Sequence, residues 1–108
     1  MAVKDILETE IPKRLQAKPE IGKDIGAVVH FNITGDGGGA WTLDCTKSDG
    51  WVSEGTNGES KMTITCAAGD FEKIISKQLS AQTAAMTGKL KFKPMDMGLA
   101  MKLAKLMG

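Results

Sequence analysis

A chain of 108 residues with 42% apolar and 25% charged side chains is long enough for one buried core and unlike a disordered or fibrous composition. Fourteen basic side chains meet thirteen acidic ones, giving a net charge of +1. That excludes the strong basic excess of a typical nucleic-acid binder, so no nucleic-acid partner is expected. Cys45 and Cys66 lie far apart without CxxC spacing and read as small buried strand residues in a reducing compartment.

The N-terminal segment reads as a helix, because Val3, Leu7, Ile11 and Leu15 recur at helical spacing with Ile6 alongside. Pro12 sits inside this pattern and is expected to kink the helix or open a second short turn. Pro19 and Gly22 mark a loop. From Gly26 to Thr34, Ala27, Val29, Phe31 and Ile33 alternate with Val28, His30, Asn32 and Thr34, the pattern of a strand with one apolar face. The glycine-rich run from Gly35 to Gly39 turns the chain into a second strand with Trp41, Leu43 and Cys45 inward. Ser48-Asp49-Gly50 leads to a third strand, Trp51 to Thr56, and Asn57-Gly58 to a fourth, Lys61 to Cys66. Three hairpin signals in succession predict an antiparallel meander.

Helical spacing returns at Phe71, Ile74, Ile75, Gln78 and Leu79, with Asp70 in the first turn. Ser80 can cap a helix over Ala81 to Thr87, closed by Gly88. Lys89 to Lys93 reads as a last strand with Leu90 and Phe92 inward and three outward lysines guarding an edge. A final helix begins near Asp96. Residues 1–108 therefore form a single α+β domain, a five-stranded, mainly antiparallel sheet with its helices on one face.

That final helix is too apolar for one core-facing stripe. From Met97 to Met107 the only charged side chains are Lys102 and Lys105. Its surplus must line a cavity, meet a partner or touch lipid. Residues 86–108 carry five lysines against one acid and hold five of the seven methionines. Methionine suits surfaces that adapt to several ligands, and the basic, apolar pairing suits an anionic membrane surface. No leader-like segment and no apolar run of membrane-spanning length is present in the sequence.

Catalytic patterns are weak. Gly35-x-Gly37-x-x-Ala40 matches a dinucleotide fingerprint formally, but a strand follows it where that motif needs a helix. His30 is the sole histidine and falls on the polar face of its strand, without a partner group in sight. No activated nucleophile, no metal-ligand cluster and no cofactor motif is visible. The pattern is that of a binder and not an enzyme. An apolar cavity could form between the sheet, the helix bearing Phe71 and the last helix, with Ala81, Ala84 and Ala85 leaving room and Gln78 or Gln82 meeting a polar ligand group. Periodicity does not decide between this and a fully packed core.

Gly88-Lys89-Leu90-Lys91 followed by Met97-Gly98-Leu99-Ala100-Met101-Lys102-Leu103 closely resembles the closing signature of sterol carrier protein 2 domains. Thr63-Ile64-Thr65 before Asp70-Phe71, Gln82, and the glycine-rich hairpin into Trp41 with Leu43-Asp44 resemble further parts of that family, over roughly Val3 to Leu106. The resemblance implies about four to five helices over the sheet, with an apolar tunnel between the two layers. It also implies non-enzymatic binding and transfer of fatty acids, fatty acyl-CoA, sterols or phospholipids. The wall positions it implies are Phe71, Ile74, Ile75, Leu79, Gln82, Met86, Phe92, Leu99, Met101 and Leu103. Lys93-Pro94-Met95-Asp96 is one residue longer than the usual connection, and Ala85 and Ala104 stand where Phe and Gln are common. Ala104-Lys105-Leu106 resembles a peroxisomal targeting tripeptide but is followed by Met107-Gly108, so a cytoplasmic location is the expectation. A monomer is the expected state, with a dimer left open. The rival reading is a protein-interaction or dimerisation module that uses the apolar C-terminal helix.

Overall fold

The computed structural model describes residues 2–108. The N-terminal helix is continuous but uneven. It starts as α1 (Val3–Asp5), widens into a π-helical turn over Ile6–Glu10 and resumes as α2 (Ile11–Ala17). Pro12 lacks an N–H, and its ring crowds the carbonyl four residues back, so the wider turn accommodates it without breaking the helix. Val3, Ile6, Leu7, Ile11 and Leu15 are all buried, as their spacing predicts.

The expected loop at Pro19 is instead a helix, α3 (Pro19–Ile25). Proline suits the first helical position, where an unsatisfied N–H would otherwise sit. Gly26 then takes a left-handed conformation (φ 52°) and donates its N–H to the Gly22 carbonyl, ending the helix.

Five strands follow the alternation read from the sequence: β1 (Val28–Thr34), β2 (Gly39–Asp44), β3 (Val52–Glu54), β4 (Met62–Ala67) and β5 (Leu90–Lys93). They form one sheet in the order β3-β2-β1-β4-β5. Register aligns the apolar side chains in rows across the sheet. Trp41, Phe31, Ile64 and Phe92 make one row, and Ile33, Cys66 and Leu90 another. These rows face the helices.

The full antiparallel meander is not formed. β1, β2 and β3 pair antiparallel, but β4 leaves β3 and pairs parallel with β1, so the sheet is mixed. The cause lies in residues 55–61. Thr42 Oγ1 donates to the Gly55 carbonyl at 2.6 Å and accepts the Asn57 N–H at 2.9 Å. The Asn57 side-chain amide donates to the Glu54 carbonyl and to Ser53 Oγ. These bonds fold the segment back over the polar face of the sheet. It crosses β2 and β1 and delivers Lys61, whose N–H donates to the Val28 carbonyl, to the far side. Asn57-Gly58 is a turn, but not that of a tight hairpin.

The helices α4 (Ala68–Ile75), α5 (Ala81–Met86) and α6 (Met97–Met107) complete the second layer. Phe71 of α4 meets Phe31 of β1 edge-on, with ring centroids 5.9 Å apart. The Ser80 and Asp96 side chains cap α5 and α6 by accepting the N–H groups of Thr83 and Leu99. The expected α+β architecture, with five strands and helices over one face, is thus present.

Candidate functional site

The gap between α5 and α6 follows from side-chain size. Ala81 and Ala85 recur four residues apart on α5, and Ala100 and Ala104 do the same on α6. Methyl groups cannot fill the space between two helices at these positions, and a groove of about 370 Å³ remains. Phe92 of β5 lines its sheet side. Met86, Met95, Met97 and Met101 surround its mouth, and Gln82 is its one polar lining residue. The volume is at the low end of the roughly 300–1,000 Å³ usual for small-molecule sites. The space opens to solvent beside β5 as a groove.

Of the ten wall positions implied by the resemblance, Gln82, Met86, Phe92 and Met101 line this groove. Phe71, Ile74, Ile75, Leu99 and Leu103 lie in the buried cluster between the layers, and half-buried Leu79 packs against it. Leu99→Asp would therefore place an unpaired carboxylate in the core and report on stability more than on the groove. Sequence reasoning missed Met95, Met97, Ala100 and Ala104 as lining residues. The paired alanine spacing was the available signal. Gln78 falls elsewhere, in a charged cleft with Glu10 and Arg14.

The histidine and both thiols that the sequence singles out have defined surroundings. His30 Nε2 lies 3.2 Å from the Asn57 carbonyl, on the polar face under the crossing segment. Burial pushes the Cys45 thiol up to about 12, with the Asp44 charge adding to it. Burial, helped by Asp70, raises the Cys66 thiol to about 11. Both thiols are therefore protonated and poorly nucleophilic near neutral pH. A hydrogen bond from the Thr46 hydroxyl holds the Asp44 carboxyl below its usual range. Among the described residues, no group of three or more His, Cys, Asp or Glu side chains could hold a metal ion. No described helix is long and apolar enough to cross a membrane.

Side-chain bonds tie the end of α6 to the N-terminal helix. Arg14 donates to the carbonyls of Leu106 at 3.0 Å and Met107 at 2.6 Å, and reaches Ile75 at 3.4 Å. Its guanidinium also pairs with Glu10. A cation at the end of a helix satisfies orphan carbonyls and opposes the negative end of the dipole.

A mixed sheet under one helical layer, with an apolar groove at the β5 edge, defines the class: an α+β domain built around an apolar site. The chain belongs to the SCP-2 sterol transfer family, whose model matches residues 6–108. It is 36% identical over 106 residues to hydroxysteroid dehydrogenase-like protein 2 of Bos taurus, covering 97% of this chain and 23% of that protein. Human sterol carrier protein 2 is 35% identical over 101 residues, covering 90% of this chain and 18% of that one. The chain thus spans less than a quarter of the length of either relative. Palmitated SCP2L2 of Aedes aegypti superimposes with a TM-score of 0.79 at 28% identity, over 99% of this chain and 95% of that one.

Proposed function

We propose that the chain is a non-enzymatic lipid carrier that takes fatty acids, fatty acyl-CoA, sterols or phospholipids into the groove between α5, α6 and β5. The observation that carries this reading is the lining. Ten residues from three elements and one connection meet around about 370 Å³ with Gln82 as the one polar side chain. Each methylene of an acyl chain removed from water there contributes ~0.8 kcal/mol. Gln82 can donate to or accept from a carboxyl, hydroxyl or ester group. The core residues Phe71, Ile74, Leu99 and Leu103 stand behind the lining as the deeper wall, and an incoming chain that parts α5 from α6 would run along them. The family membership and the palmitated SCP2L2 relative support this reading. Two buried free thiols fit a cytoplasmic, reducing setting.

Titration with a fluorescent fatty acid tests the site. Ala85 is half-buried and lines the groove without anchoring the core, so Ala85→Trp fills the space at little cost to stability. Affinity falls tenfold or more, about 1.4 kcal/mol, while the melting temperature stays close to that of the parent. Unchanged affinity in the folded variant would place the ligand elsewhere.

A further inference from the structure

We propose that Met86, Met95, Met97 and Met101 form a hydroperoxide-reactive site, and that their oxidation to sulfoxides turns apolar ligands away from the groove. The effect on binding rests on the carrier reading, whereas the reactivity of the methionines does not. Met86 is 79% exposed, Met95 62%, Met97 65% and Met101 66%. Among the described residues these are all of the strongly exposed large apolar side chains. All four line the same groove, although they come from α5, from α6 and from the connection before it. Single, scattered exposure is the norm on a protein surface, so a collar of one residue type calls for a cause.

Leucine or isoleucine would give the mouth the same apolar character. A thioether adds a nucleophilic sulfur that needs no deprotonation and that oxidises reversibly. The other described methionines, Met62 and Met107, are 1% and 0% exposed and lie out of reach of a dissolved peroxide. The two thiols do not compete. Cys45 and Cys66 are buried, and desolvation keeps both protonated near neutral pH. Reactive sulfur on the described surface is therefore concentrated at the groove mouth.

The step balances without a further reactant. The Sδ lone pair attacks the terminal oxygen of the hydroperoxide. An S–O bond forms as the O–O bond breaks, and the departing oxygen takes up the hydroperoxide proton. Sulfur loses two electrons and the peroxide gains them. Hydrogen peroxide leaves water, and an acyl hydroperoxide leaves the corresponding alcohol. The shared chemistry is the O–O bond, whether free in solution or carried on an acyl chain held in the groove. Each sulfoxide replaces an apolar sulfur with a polar S–O group. Gln82 is the one polar lining residue of the unmodified groove, so four sulfoxides reverse the character of its mouth. An entering acyl chain would then strip water from these groups without pairing them.

The test treats the protein with hydrogen peroxide or with linoleic acid hydroperoxide and locates the added oxygen by peptide mass spectrometry. The four collar methionines gain it roughly tenfold faster than Met62 and Met107. Affinity for a fluorescent fatty acid then falls about tenfold, and methionine sulfoxide reductases restore it. None of the four belongs to the buried cluster, so thermal melts should show the oxidised protein folded. In a variant combining Met86→Leu, Met95→Leu, Met97→Leu and Met101→Leu, affinity is the same before and after peroxide. If Ala85→Trp slows oxidation by the acyl hydroperoxide and not by hydrogen peroxide, the source is a chain held in the groove. Equal rates in parent and variant identify free peroxide as the source. Parent affinity in the folded sulfoxide form would overturn the proposal. So would oxidation of Met62 or Met107 as fast as the collar, or an undiminished response in the leucine variant. An unoxidised parent that binds no fatty acid would overturn the carrier reading, and with it the effect on binding. Binding before oxidation thus separates the two failures.

Discussion

The guanidinium of Arg14 reaches the last turn of α6 from 92 residues away in sequence, and no local pattern announces that contact. Arg14→Gln removes charge-assisted bonds to the carbonyls of Leu106 and Met107 and leaves those groups short of partners. It should cost ~2 kcal/mol, measured by urea denaturation, and speed amide exchange in α6 before the sheet. Parent-like stability would mean that α6 is held by packing alone. Cys45 and Cys66 illustrate the opposite case. Their alternation with polar neighbours made them legible as buried strand residues, and the structure buries both. Their raised pKa has a consequence at alkaline pH. The ordinary thiol value is 9.0, so above it the unfolded chain releases protons that the folded chain keeps. The contribution is intact below pH 9.0 and is lost as pH rises toward the folded values of about 12 and 11. Cys45→Ala should flatten that decline by on the order of 1 kcal/mol at pH 10, read from denaturation at both pH values. An identical slope in the variant would show that the thiol is not protected.

Alternation fixes which side chains of a strand face the core, but it does not name the strand's neighbour. That is why the five strands were legible and the parallel pairing of β4 with β1 was not. The information sits in Thr42, a buried polar residue at 5% exposure whose hydroxyl serves both Gly55 and Asn57. Thr42→Val keeps the shape and deletes both bonds, leaving a backbone carbonyl and an N–H without partners under the crossing segment. It should destabilise the protein by about 1–3 kcal/mol, with exchange protection lost first over residues 55–61. Uniform loss of protection across the sheet would contradict a local role. The helix α3 was hidden for a related reason. Pro19 and Gly22 are loop signals in isolation, yet one opens the helix and the other lies in its interior, where a Cβ would come within 3.2 Å of Leu15 Cδ2. On α5 the alanines were legible as leaving room, and Ala81 and Ala85 do line the groove, whereas on α6 the resemblance pointed to the large residues and the groove is lined by Ala100 and Ala104 as well.

Across the whole molecule, the layers divide the work. The sheet, α1 to α4 and the inner face of α6 form the buried core, and Phe31, Phe71 and Leu103 within it are fully buried. The adaptable surface is confined to α5, β5 and α6, where methionine replaces branched side chains and alanine leaves volume. The family resemblance is carried most specifically by this C-terminal region, because its residue order is distinctive. It could not separate lining from core, since both are apolar and both recur at helical spacing. The carrier reading also predicts that occupancy tightens the α5–α6 pair, raising the melting temperature when fatty acid is added.

The most direct measurement is native mass spectrometry of the protein equilibrated with palmitate, beside Ala85→Trp under the same conditions. One fatty acid per chain on the parent, and a much reduced adduct on the folded variant, is the result this account predicts. A parent chain that stays empty, or a variant loaded as fully as the parent, would contradict the assignment of the groove as the lipid site.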